Sequence, residues 1–258
     1  MNEIKSTIST FHAIGLEETN AKAALLERMD TKYAFRLDVL PSVIDACRED
    51  YDILEINGNR LLPYETTYFD TSQLFYFHAH HAGHGNRLKV RIRKYNHDGA
   101  SYLEVKHKNN KGITQKTRAV YSDNLPVSTQ LMDPQFTLQQ HLIKNNLEQT
   151  ILIRYMRITL VSKVQKERVT IDSLINFSNA ERQVSMPGYT VAEVKQAKSG
   201  PSYFAQLMKS KNIREGGISK YCLGVIGLYQ HAKKNRFKPF LHQLNNQSIA
   251  YGTASSCG

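Results

Sequence analysis

Cationic and apolar side chains alternate through NRLKVRIRKY, residues 86–95. Arg87, Lys89, Arg91 and Arg93 fall on one face of an extended strand, Leu88, Val90 and Ile92 on the other. The same period of two recurs in four more segments. SYLEVKHK sets Glu104, Lys106 and Lys108 against Leu103 and Val105, and GITQKTRAV lines up Thr114, Lys116 and Arg118. ILIRYMRITLV sets Tyr155, Arg157 and Thr159 against Met156, Ile158 and Leu160, and YTVAEVKQ sets Val191, Glu193 and Lys195 against Ala192 and Val194. These strands each present one apolar and one charged face.

MDTKYAFRL, DYDILEI, RLLPYETTYFDT and KERVTIDSLINFS read as further strands, most of them bounded by Gly, Asn, Asp or Ser clusters. NHDGAS and NNKG predict consecutive antiparallel hairpins. Helices are expected near the N-terminus within residues 1–26, and at DVLPSVIDACRED, with Asp38 as its cap and Pro41 in its first turn. Others are expected at TSQLFYFHAHHAG, FTLQQHLIKNN, PSYFAQLMKSKN and KYCLGVIGLYQHAKK. The expected class is therefore α+β, an antiparallel sheet of about eight strands with helices packed outside. A single domain is expected over residues 1–240, followed by a flexible polar tail at 241–258.

Across 258 residues, Lys and Arg number 34 against 23 acidic residues, a formal charge of +11 that points to a polyanionic partner. Cys47, Cys222 and Cys257 follow no metal-ligand or disulfide spacing, which suggests a reduced, cytoplasmic setting. The N-terminal segment lacks the apolar run of a signal peptide, and no stretch has the ~20 apolar residues of a membrane span.

A half-exposed antiparallel sheet ordinarily has one wet, charged face, which accounts for any single strand. A wet face usually mixes signs, however, and like charges opposed across strands are destabilising. Here arginines and lysines recur at strand centres. The reading that accommodates them is a closed barrel whose charged faces point inward and bind a chain of phosphates, with arginine forks and lysine point charges as ligands. Glu193, with Glu104, would then hold a divalent cation, Mn²⁺ or Mg²⁺, bridging phosphate oxygens.

ERMDTKY at 27–33, TTYFDT at 66–71, KVRIRKY at 89–95, LEVKHKNNKGITQKTR at 103–118, RYMR at 154–157, VTID at 169–172, VAEVK at 191–195 and SKY at 219–221 occur in this order. Together they resemble the VTC domain, the catalytic domain of the vacuolar transporter chaperone polyphosphate polymerase, in the triphosphate tunnel metalloenzyme superfamily. The resemblance covers about residues 25–230. It implies a closed antiparallel tunnel with Arg91, Arg93, Lys106 and Arg157 as catalytic cations. It also implies Lys32, Lys116, Tyr155, Ser219 and Lys220 as phosphate ligands, and Glu193 as the metal ligand; Lys195, on the same charged face as Glu193, joins the phosphate-binding set. The region RMDTK departs from the ExExK strand of the CYTH branch, and the SPX domain and membrane helices of the larger eukaryotic polymerase have no counterpart here. Any membrane-protein partner would be encoded outside this chain.

The reaction implied is transfer of the ATP γ-phosphate to a growing polyphosphate chain. Hydrolysis of inorganic triphosphate or polyphosphate at the same residues is the enzymatic alternative, and a polyanion- or RNA-binding module the non-enzymatic one. No specific nucleic-acid motif is present. His80 and His84 have the i, i+4 spacing of a metal pair but lack a third ligand, GHGNRLK is not a P-loop, and Lys233, Lys234, Arg236 and Lys238 form a basic cluster.

Overall fold

A computed structural model describes residues 2–22, 28–95, 99–140, 143–144, 146–197, 201–217 and 219–245. Among the described residues eleven strands follow one another as β1 (Ala13–Ile14), β2 (Arg28–Arg36), β3 (Tyr51–Leu54), β4 (Leu62–Asp70), β5 (Arg87–Tyr95) and β6 (Ser101–Lys108). β7 (Thr114–Val120), β8 (Glu148–Ser162), β9 (Glu167–Ser178), β10 (Gln183–Met186) and β11 (Tyr189–Ala197) complete them. The eight long strands form one path, β2-β11-β9-β8-β4-β5-β6-β7, with β1, β3 and β10 attached beside it.

The expected closure does not occur. The path ends at β2 and at β7, which do not pair with each other, so the sheet is open rather than a closed tunnel. At the β2 edge a bridge from Tyr33 to Glu215 and a hydrogen bond from Gly216 N to the Lys32 carbonyl (2.9 Å) occupy groups that a further strand would need. At the other edge, β7 is exposed at most positions and carries Lys116 and Arg118, charges that discourage edge-to-edge pairing.

The chain divides into two compact units, the first of Met1–Pro63, Tyr155–Ile175 and Met186–Ile218, the second of Tyr64–Arg154, Asn176–Ser185 and Ser219–Gly258. In the first, Tyr33, Phe35, Ile158, Leu160, Val169, Ile171, Ala192 and Val194 pack with Leu40, Val43 and Ile44 of the helix Leu40–Ala46 and with Phe204 and Met208. These are the apolar positions of the alternating strands, buried on one side of the pleat. In the second unit Leu88, Val90, Leu103 and Val105 do the same against Tyr76, Leu131 and Phe136.

Pro41 lies in the first turn of the helix Leu40–Ala46 as expected, but Asp38 does not cap it; its carboxylate pairs with Arg36 instead. The N-terminal segment forms two helices, Asn2–Ser9 and Leu16–Lys22, separated by β1. Among the described residues of FTLQQHLIKNN, Thr137–Gln140 form an α-helix, and His141, Leu142 and Asn145 lie outside the described residues. The NNKG hairpin is present, closed by Gly112 N donating to the Asn109 carbonyl (3.0 Å), with Gly112 at φ 77°, a value that suits glycine. The NHDGAS turn falls partly, and the polar tail beyond residue 245 wholly, outside the described residues.

Candidate functional site

Each unit carries a polar face, opposite its core. Residues directly opposed in antiparallel register share a face, so the second unit's face is read row by row. Lys89 stands opposite Lys106, which stands opposite Lys116; Arg91 opposite Glu104, which stands opposite Arg118; Arg93 opposite Tyr102. On the far side of β5, Tyr68 faces Arg91 and Thr66 faces Arg93. The four cations expected from β5, β6 and β7, namely Arg91, Arg93, Lys106 and Lys116, thus lie together.

Glu104 is the counter-charge. Its side chain is 1% exposed and accepts from Arg91 Nε (2.8 Å) on one oxygen and from Lys116 on the other. Burial alone would raise its pKa, but Arg91, Arg93 and Lys116 outweigh that and hold the carboxyl down at about 2. Partial desolvation, reinforced by Arg91 and Arg93, draws the Lys116 ammonium below its ordinary value against the opposing pull of Glu104. Arg93 is differently placed: its Nε is buried and has no hydrogen-bond partner among the described residues. A buried cationic donor left unmet is costly unless an anion completes it.

Tyr68 was not singled out by the sequence pattern. Its hydroxyl accepts from Arg91 Nη1 (3.0 Å), and although burial opposes ionisation, Arg91, Arg93 and Lys220 bring the phenol below its ordinary pKa. Its ring stacks on Tyr221 at 5.0 Å between centroids. Tyr221 donates to the buried carboxylate of Asp70, which also accepts from the backbone N–H of Tyr76 and Phe77 (2.9 Å each) at the start of the helix Phe75–Ala82. Asp70 thereby ties the end of β4, that helix and Tyr221 into one support under Tyr68. The TTYFDT motif holds both Tyr68 and Asp70, two positions apart on a strand, which is the signal that was available.

Ser219 caps the helix Lys220–Leu228, accepting from Cys222 N (3.4 Å), and also accepts from Lys89 Nζ (3.0 Å). Ser219 and Lys220 therefore join Lys89 at a helix N-terminus, an arrangement that favours anions. Gly224 lets this helix approach closely, since a Cβ there would meet Phe177 Cδ1 at 2.7 Å.

On the first unit's face, Glu193 stands between Lys32 and Thr170, and Lys195 between Asp30 and Arg168. Arg157 meets Asp172 through Nε to Oδ1 (2.6 Å) and Nη2 to Oδ2 (2.8 Å), and its guanidinium lies 5.2 Å from the Tyr155 ring. Lys32, Tyr155, Arg157, Glu193 and Lys195 thus belong to this unit, and the β5–β7 cations to the second. The donor set does not fit a preformed cage for Mn²⁺ or Mg²⁺. Among the described residues no group of three or more His, Cys, Asp or Glu converges, the oxygens of Glu104 and of Asp172 are engaged by cations, and Glu193 stands opposite a lysine. His80 and His84 form no such group either.

A family model for the VTC domain matches residues 27–229. No curated protein matches the chain. Among solved structures, a Hippeastrum protein described as a candidate adenylyl cyclase with a dominant triphosphatase activity is similar at 13% identity and TM-score 0.49, over 78% of this chain and 97% of that one. A candidate adenylate cyclase from Bacillus halodurans is similar at 12% identity and TM-score 0.47, over 75% and 94%. At such scores these likenesses assign no function. The family match spans most of the sequence, and the chain belongs to the VTC domain family.

Proposed function

We propose that this VTC-family chain binds linear phosphate chains on the cationic face of its second unit and hydrolyses them, with inorganic triphosphate or polyphosphate as substrate. The observation that carries this reading is Arg93, whose buried Nε lacks an acceptor among the described residues while Arg91 beside it is neutralised by Glu104. A phosphate oxygen supplies the acceptor, and the Lys89, Lys106 and Lys116 row extends the positive charge along the chain. Ser219 and Lys220 are assigned to a terminal phosphate, at the helix N-terminus.

Phosphoryl transfer asks little covalent chemistry of a protein; positioning and charge neutralisation supply most of it. Arg93 and Lys116 neutralise the oxygens of the transferred group, and water attacks its phosphorus as the bridging oxygen departs with the remaining diphosphate. Triphosphate and water thus give diphosphate and orthophosphate. Water is favoured as acceptor because β7 is an exposed edge and the Lys116 side chain is 38% exposed. Lys32, Tyr155, Arg157 and Lys195 are proposed as phosphate ligands on the first unit's own face. Glu193 is the carboxylate of that face that would hold a divalent cation, with the substrate's own phosphate oxygens as further ligands.

The second reading, extension of polyphosphate from ATP, is the activity that the resemblance to the VTC polymerase domain implies. Incubation with triphosphate, polyphosphate or ATP, each with Mn²⁺ or Mg²⁺, followed by ³¹P NMR separates the two. Orthophosphate and diphosphate from triphosphate support hydrolysis. Growth of bridging-phosphate signals with matching ADP supports polymerisation and displaces the hydrolytic reading. Absence of turnover with all three substrates overturns both.

A further inference from the structure

We infer that Arg118, seated on Tyr102, is a stacking platform for the base of a nucleoside triphosphate whose phosphates lie on the neighbouring Arg93 row. This rests on the phosphate-binding reading above and adds the residues that would hold a nucleotide's base beside the same face.

Register places Arg118 directly opposite Glu104. Its guanidinium nevertheless leans along β6, with Cζ 3.4 Å from the Tyr102 ring centroid and 5.5 Å from that of Tyr95. The reason is local: Arg91 and Lys116 engage the two Glu104 oxygens. The ring beneath is itself fixed edge-on by Tyr95, at 5.8 Å and 83°, and Tyr95 is fixed in turn by Tyr64 at 5.4 Å and 67°. One side of the guanidinium plane therefore covers an aromatic ring while the residue as a whole is exposed.

A planar cation held 3.4 Å over the centre of a buttressed ring offers an outer face on which a nucleobase stacks. Tyr102 is the register neighbour of Arg93, so the platform adjoins the cation whose Nε lacks an acceptor. Arg91 and Arg93 are one pleat apart, about 7 Å along the strand, so phosphates gripped there leave the sugar and base to extend over Tyr102. Inorganic chains have no flat group and gain nothing from the platform. Stacking alone does not discriminate between purines, so ATP and GTP should behave alike.

Isothermal titration of the full chain with ATP, GTP and inorganic tripolyphosphate tests this, using wild type, Arg118→Lys and Arg93→Ala. Arg118→Lys keeps the charge and removes the planar face, and its exposed position on an edge strand makes it tolerable to the fold. The expected result is a loss of about fivefold or more in ATP and GTP affinity with tripolyphosphate changed by less than about twofold. An equal change for all three ligands overturns the platform while leaving the phosphate site intact, provided Arg93→Ala still weakens tripolyphosphate. If tripolyphosphate fails to bind, or binds independently of Arg93, the functional reading fails and the platform falls with it. Arg118-dependent binding of a short oligouridylate without binding of mononucleotides also overturns the assignment.

Discussion

On the first unit's face Arg157 grips Asp172 with two hydrogen bonds, and Glu193 stands opposite Lys32. On the second unit's face Glu104 is the only carboxylate in the rows formed by β5, β6 and β7, against Arg87, Lys89, Arg91, Arg93, Lys106, Lys108, Lys116 and Arg118. Both faces come from alternating strands with the same residue types, so alternation does not distinguish a matched face from an unmatched one. What distinguishes them is how far carboxylates meet the cations: Lys32 stands opposite Glu193, Lys195 opposite Asp30 and Arg157 grips Asp172, whereas Glu104 alone serves the β5–β7 rows. Where a cation is matched internally, as Arg157 is by Asp172, the pair also serves the fold. An unmatched face is held in a state that an external polyanion completes.

The largest expected effect breaks the matched side. Arg157→Ala would remove two hydrogen bonds and the paired positive charge from the Asp172 carboxylate, whose side chain is 2% exposed, and should cost about 3–5 kcal/mol of stability. Urea unfolding measures it, and a loss under about 1 kcal/mol would show that Asp172 finds other compensation. Arg93→Ala should do the reverse. Glu104 keeps its hydrogen bonds from Arg91 and Lys116 when Arg93 is removed, so stability should stay within about 1 kcal/mol of wild type, while tripolyphosphate affinity falls by roughly 10- to 100-fold. Equal stability losses in the two variants would erase the distinction between the faces.

Much of this was legible along the chain, and the limits are instructive. Arg91, Arg93 and Lys116 could be placed on charged faces because strand parity is local, and Leu88, Val90 and Val105 on the core for the same reason. Closure was not legible. It depends on whether another strand reaches the edge of β2, and Glu215 and Gly216, distant in sequence, take that place. Asp38 looked like a cap because Asp caps helices, yet Arg36 two residues away captured its carboxylate. Glu104 read as a metal ligand until register placed it opposite Arg91, and nothing local foretold that Arg118 would lie over Tyr102. The neutralisation of Arg91, expected to need a phosphate chain, is supplied within the fold, and the unmet demand falls on Arg93.

Glu104 gives the comparison a pH dependence. Its folded pKa of about 2 lies below the ordinary 4.5, so its contribution is fully present above about pH 4.5 and is lost as pH falls toward 2. That contribution is about 3 kcal/mol as an order of magnitude. Glu104→Gln should flatten the stability profile in this window, lower stability at neutral pH and tighten tripolyphosphate binding, because Arg91 and Lys116 lose their internal partner. A variant that lost stability without gaining affinity would mean that Glu104 positions these cations more than it competes with phosphate.

Tyr68→Phe should have the smallest effect and probes the support beneath Arg91. Without the hydroxyl, Arg91 keeps Glu104 but loses the 3.0 Å hydrogen bond to Tyr68, so tripolyphosphate affinity should fall only about two- to tenfold. The alkaline limb is the more specific reading. Arg91, Arg93 and Lys220 bring the Tyr68 phenol below its ordinary pKa of 10 despite its burial, so phenolate forms before an exposed tyrosine would ionise. A negative charge there repels phosphate, and wild-type affinity should decline as pH rises toward that range. In Tyr68→Phe the decline should move to higher pH, where the lysines begin to lose their protons. An unchanged alkaline limb would assign it to lysine deprotonation and leave Tyr68 only the task of holding the Arg91 side chain on the stack with Tyr221.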